Sequence, residues 1–131
     1  MEIEVFTLCD AAADYQGRLS ILGIFDTIFA ANLPALHPHC SVALRIRFSK
    51  VEEGKHNLTL HIVDYDGNMI IPPLSGEFGI QLAGNDQHGT INLVLNLQGL
   101  KFQHPGEYAV NLVINREEKA SFQLMLKQVP L

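Results

Sequence analysis

The chain has 131 residues, 47% hydrophobic and 18% charged, with a formal net charge of −5. That length fits one domain over residues 1–131, able to bury about two-thirds of its unfolded surface without a disulfide or a metal. The acidic balance argues against a nucleic-acid binder or a membrane-surface protein, because both need a basic stripe; the densest basic group, Arg45, Arg47 and Lys50, is too small to supply one.

The opening residues Met1-Glu2-Ile3-Glu4-Val5 are acidic where a signal peptide is basic, and the apolar runs are too short to span a bilayer. The expectation is a cytoplasmic protein, with Cys9 and Cys40 as free thiols. Ile3 to Cys9 reads as a strand with apolar residues at both parities. Asp10 to Gly17 reads as a loop with one short helical turn over Asp10-Ala11-Ala12-Ala13-Asp14. Leu19 to Phe29 is again apolar at both parities, which predicts burial on both faces or a covering neighbour. Pro34 and Pro38 bracket a non-strand crossing.

From Cys40 onward the signal is period-two alternation. Val42, Leu44, Ile46 and Phe48 share one face, and Ser41, Ala43, Arg45 and Arg47 take the other. The same pattern runs through Leu58-Leu60-Ile62, Phe78-Ile80-Leu82, Ile91-Leu93-Leu95-Leu97, Tyr108-Val110-Leu112-Ile114 and Phe122-Leu124-Leu126. Turn residues separate the runs: Glu53-Gly54, Asp66-Gly67 (a type I′ signal), Pro72-Pro73, Gly84-Asn85-Asp86, Pro105-Gly106 and the polar loop Asn115 to Glu118. These features predict an all-β, two-sheet antiparallel sandwich of about eight or nine strands. Tyr108, just after the turn His104-Pro105-Gly106, stands where a tyrosine corner would sit, which leans toward an immunoglobulin-like Greek key over a closed barrel; a half-buried strand tyrosine is the alternative reading.

Few residues carry an obvious chemistry. His37-Pro38-His39-Cys40 gathers two imidazoles and a thiol, possible ligands for a transition metal, but without a second close pair elsewhere; a proline loop entering the strand at Cys40, with the histidines solvated, is the preferred reading. Asp64-Tyr65-Asp66-Gly67-Asn68 spaces Asp64 and Asp66 as a calcium loop does, but lacks the downstream Glu of an EF-hand, and a hairpin turn accounts for every residue. Asn92, Asn96 and Gln98 form an amide row that sugars or peptides use, or the wet side of a sheet. No nucleophile elbow or phosphate loop occurs, so no cofactor and no catalytic residue is assigned.

The segments Cys9-Asp10-Ala11-Ala12 and Gly17-Arg18-Leu19-Ser20-Ile21-Leu22-Gly23-Ile24-Phe25-Asp26, with Glu53-Gly54-x-His56 and Val63-Asp64-x-Asp66-Gly67, resemble an uncharacterised bacterial family of small domains of unknown function. The resemblance implies a β-sandwich and brings no activity, ligand or site residue. Read physically, Gly23 permits a close backbone approach, Phe25 and Ile28 anchor a core, and Asp26 caps a turn. The leading expectation is a non-catalytic module that binds a protein partner or a second copy through open sheet edges. The alternatives are a module binding a metal or small ligand, and a jelly-roll enzyme in which several of the six histidines converge.

Overall fold

The computed structural model describes residues 1–130 and arranges nine strands in two sheets. Sheet A contains β1 (Glu2–Tyr15), β2 (Arg18–Ile24), β4 (Ala35–Ser49) and β7 (His88–Phe102), in the order β2-β1-β4-β7. Sheet B contains β3 (Thr27–Ala30), β5 (Gly54–Asp64), β6 (Leu74–Ile80), β8 (Gly106–Ile114) and β9 (Glu117–Gln128), in the order β3-β9-β8-β5-β6. The two sheets pack as a sandwich with open edges, and sheet B is curled. Pairing is antiparallel except between β3 and β9, which run parallel, a departure from the uniformly antiparallel expectation. Among the described residues no helix is long and apolar enough to cross a membrane.

The alternation in the sequence is what builds the core. Val42, Leu44, Ile46 and Phe48 of β4 face inward against Leu58, Leu60 and Ile62 of β5 and Val110, Leu112 and Ile114 of β8, all at most 5% exposed. Each such side chain contributes about 1.5–3 kcal/mol of burial free energy. The interior forms two clusters, bridged by Phe6 and Leu95, which pack against both. At one end the Tyr108 ring meets Phe102 edge-on, centroids 4.9 Å apart, and its hydroxyl donates to the His104 carbonyl oxygen at 2.6 Å. That is the backbone bond expected of a tyrosine corner.

The first thirty residues fold differently from their sequence reading. Asp10 to Gly17 is not a loop with a helical turn: β1 runs on to Tyr15 and pairs with β2 from Ala11↔Leu22 to Tyr15↔Arg18. Gln16 and Gly17 take φ of 51° and 80°, so a two-residue primed turn closes the hairpin. Leu19 to Phe29 is two strands, one in each sheet, with Asp26 at the turn between them as the sequence reading has it. The Asp26 carbonyl accepts the Met125 N–H at 2.8 Å, which seats the crossing on β9.

Two other turns also differ. Pro34 to Pro38 is not a non-strand crossing, because β4 starts at Ala35 and pairs with β7 through His37↔Leu100 and His39↔Gln98. β1 leaves β4 at Ser41, so the stretch holding Pro38 is an edge on that side, where a missing N–H is tolerated. Asp66-Gly67 does not form a type I′ turn, since only Gly67 has positive φ (86°). The Gly67 N–H donates to the Asp64 carbonyl, and Asp64 N–H to Asn68 O, giving a three-residue loop with glycine in the left-handed position. Type I′ geometry appears instead at Asn115-Arg116, with φ of 52° and 68°.

Candidate functional site

The β1–β2 hairpin folds back over the outer face of sheet A. The side-chain amide of Asn92, on β7 at the far edge of the sheet, donates to Asp14 Oδ1 (3.2 Å) and to the Gly17 carbonyl (3.1 Å) at the hairpin tip. Beneath the hairpin, Cys9, Ser41 and Ala43, which point away from the core, are at most 1% exposed. Ser41 Oγ donates to Asn96 Oδ1 at 2.7 Å, and Cys9 Sγ to the Ser41 carbonyl at 3.4 Å. The covering expected over Ile3 to Cys9 is thus supplied at Cys9 by the chain itself, whereas Leu19 to Phe29, expected to be buried on both faces or covered, leaves Leu22, Ile24 and Phe29 exposed. The amide row is largely consumed by it: Asn96 holds Ser41, and Asn92 holds the tip and accepts from Arg45 Nη1 at 2.9 Å.

Charge on this face is also internally matched. β1 bulges between Ile3 and Val5, and the extra residue, Glu4, receives Arg45 Nε at 3.0 Å and Arg47 Nε at 2.8 Å. The Arg47 hydrogen bond, followed by Arg45, holds the Glu4 carboxyl below its ordinary pKa. Two of the three clustered basic residues are therefore tied to a carboxylate.

Gly23 shapes the other end of the hairpin. Its φ is +71°, and a Cβ there would collide with the Asp10 carboxylate across the strand pair. The close approach expected of Gly23 is present.

The outward side of the hairpin is apolar. Tyr15, Leu22 and Ile24 are 66%, 70% and 65% exposed, and Phe29 on neighbouring β3 is 65% exposed. Ala11, Ala13 and Ser20 lie exposed among them, with Arg18 as the charged residue of β2. β2 is the terminal strand of sheet A, so one side of its backbone has no strand neighbour. Two depressions flank the crossing from β2 to β3. One, of about 490 Å³, is lined by Phe6, Ile24, Phe25, Phe122 and Met125 among others. The second, of about 360 Å³, is lined by Asp10, Ile24, Phe25, Phe29 and His37. The doubly apolar stretch from Leu19 to Phe29 is the sequence signal of this surface, since such a stretch hints at an additional buried contact.

The residues singled out for metals lie as follows. His37 is half-buried against Phe25 (centroids 5.5 Å apart), and its Nε2 is buried without a hydrogen-bond partner. His39 is exposed, whereas Cys40 is fully buried in the core, where desolvation pushes its thiol pKa up to about 11. The three do not converge on a point. Asp64 Oδ1 accepts the backbone N–H groups of Asn68 (2.8 Å) and Asp66 (3.0 Å), with Oδ2 3.7 Å from His104 Nε2. These bonds, the Asn68 one foremost, depress its pKa. Asp64 thus serves the turn, and Asp66 is exposed at the tip. Among the described residues, no three His, Cys, Asp or Glu side chains are placed to hold one ion. His56 is also structural: its Nε2 lies 2.6 Å from the Glu52 carbonyl, its Nδ1 lies 2.8 Å from Asn115 Nδ2, and its ring stacks on Phe78.

The chain is a two-sheet β-sandwich domain with a hairpin laid over one face. It belongs to DUF6941, a family of unknown function whose model matches residues 4–127. No curated protein matches it in sequence. In fold it is similar to β-glucosidase from Listeria innocua: TM-score 0.52 and 13% identity for the isofagomine complex, 0.54 and 13% for a mutant with laminaribiose, 0.51 and 12% for the glucose complex. Each alignment covers 99% of this chain but only 17%, 16% and 16% of the respective enzyme chains. At such identities the likeness shows the fold alone.

Proposed function

We propose that this domain is a non-catalytic interaction module that engages another protein chain through the outward face and free edge of its β1–β2 hairpin. The carrying observation is the exposure of Tyr15, Leu22 and Ile24 on a terminal strand. Contiguous exposed apolar residues on a soluble domain mark contact surfaces, and an unpaired strand edge adds main-chain donors and acceptors. We further read the sandwich as immunoglobulin-like: the bond from Tyr108 to His104 and the alternation of β4 and β7 in one sheet with β5 and β8 in the other support that assignment. A cytoplasmic location is supported by the two unpaired thiols Cys9 and Cys40.

The test is site-specific photocrosslinking in cells. A benzophenone amino acid at position 22 is expected to give covalent adducts with a defined protein, identified by mass spectrometry. The same probe at Val51, 92% exposed and on the turn between β4 and β5, serves as the control and gives none. Position 22 yielding no more adduct than position 51 would remove the proposal.

A further inference from the structure

Resting on that reading, we propose that the chain engaged by β2 is a second copy of this protein, bound antiparallel about a two-fold axis near Leu22. An antiparallel pair of identical strands is the simplest self-complementary contact, since residue i of one copy meets residue j of the other and j meets i. With the axis at Leu22, the two Leu22 side chains face each other and Ser20 of each copy faces Ile24 of the other. Arg18 at one end of β2 is brought toward Asp26 just past the other end. Both charges are exposed, and among the described ion pairs neither has a partner. Arg18 begins the strand and Asp26 lies two residues past its end, on the crossing to β3, so the two-fold operation sets each Arg18 on the side of the other copy's Asp26. A parallel pairing would instead set Arg18 against Arg18.

The edge lacks the usual defences against such pairing. Between Arg18 and Asp26 there is no charge and no proline. β6, the terminal strand of sheet B, has Glu77 at its centre and glycines at 76 and 79, so self-pairing there would face like charges across the axis. β3 has only four residues. β7 is long and uncharged between His88 and Lys101, but its apolar side chains Ile91, Leu93 and Leu95 are half-buried against the protein's own core. β2 is the edge whose large apolar side chains, Leu22 and Ile24, remain to be covered. Alternation is regular from Arg18 to Leu22, so an axis at Leu22 keeps Ser20 and Leu22 on one face in both copies, while the left-handed Gly23 interrupts it before Ile24, which is exposed in its own right.

The experiment is sedimentation velocity on the full chain from 1 to about 300 μM. We expect a dimer whose dissociation constant rises at least tenfold in Leu22→Glu, where two carboxylates meet at the axis. Arg18→Glu and Asp26→Arg are each expected to weaken the dimer, and the combined variant to recover most of the loss. Circular dichroism confirms that each variant keeps the β fold, and the charge-reversal set stands alone should Leu22→Glu fold poorly. A monomer at every concentration overturns this inference, as does a dimer that Leu22→Glu and the charge reversals leave unchanged. Position-22 crosslinks to a different protein, with the chain itself monomeric, would sink the homodimer while leaving the interaction module standing.

Discussion

The Tyr108 hydroxyl donates to the His104 carbonyl at 2.6 Å and so ties the head of β8 to the turn that delivers it from sheet A. The ring is 2% exposed and leans on Phe102, so the phenol is an apolar wedge with one polar tip, and that tip is satisfied. Tyr108→Phe keeps the wedge and removes the bond, which predicts a loss of about 1–2 kcal/mol in urea unfolding. Burial also raises the Tyr108 pKa above its ordinary value of 10.0. The folded state therefore holds that proton more tightly than the unfolded chain. Its contribution is complete below pH 10 and is lost as pH climbs through the raised folded value. Tyr108→Phe should lose stability less steeply than wild type over that alkaline range.

Asp64 works with the opposite sign. Hydrogen bonds from Asn68 and Asp66 lower its pKa from 3.8, so its stabilisation is present above the unfolded value and disappears as pH falls through the lower folded one. Asp64→Ala is expected to be less stable than wild type at pH 7. The gap between their thermal midpoints should narrow steadily below about pH 4, near the model-peptide value. A constant gap down to pH 2 would show that the carboxylate charge plays no part in holding the turn.

How much of this was readable in advance depends on the range of the contacts involved. Val42, Leu44 and Ile46 announce their strand because a branched or long apolar side chain at every second position has one structural meaning. Tyr108 announces its corner because the turn and the acceptor lie within four residues. The hairpin is harder to read: Ala11, Ala12 and Ala13 carry too little bulk to display alternation, and Gln16 occupies a positive-φ site without the usual Asn or Gly. Its placement over sheet A depends on Asn92 reaching Gly17, 75 residues apart in sequence, which no local pattern encodes. How the side chains from His37 to Cys40 are oriented was hidden for a related reason. Gly99 of β7, at φ +66°, lets the β4–β7 pair switch faces, so Ala35 and Cys40 are both buried while His39 is exposed.

Gly23 offers a test of the hairpin's close packing. Alanine there is strained by the left-handed backbone and also meets the Asp10 carboxylate. Gly23→Ala is expected to destabilise by about 1–2 kcal/mol from backbone conformation alone, with the collision adding to it. Trimming the obstacle should recover only the second part: Gly23→Ala with Asp10→Ala should lie above the single variant and below Asp10→Ala. A double-mutant cycle by urea unfolding reads the coupling.

The two thiols should be silent in the native protein. Cys40 has its pKa pushed up to about 11, first by desolvation, and Cys9 is raised by the same cause. Thiolate is the reacting form, and at pH 8 a thiol of pKa 11 is about 0.1% ionised as well as sealed from reagent. Neither cysteine should be alkylated by iodoacetamide at pH 8 within the lifetime of the folded state. Both should react at once in 6 M guanidinium. Rapid labelling of Cys9 alone under native conditions would mean that the hairpin above it opens.

That opening can be provoked deliberately, because Asn92 is the clasp at the hairpin tip. It gives two hydrogen bonds to Asp14 and Gly17 and takes one from Arg45, and all three vanish in Asn92→Ala. The exposed setting limits the global loss to about 1 kcal/mol. The local effect should be larger, since residues 11 to 22 pair only with each other and otherwise rest on the sheet face. Hydrogen exchange is expected to accelerate across β2 and the second half of β1, while β5, β8 and β9 keep their protection. The Cys9 thiol, buried beneath the hairpin, should become labelled in the same variant. If exchange instead rises evenly across both sheets, the hairpin is an integral part of the sandwich and does not move on its own.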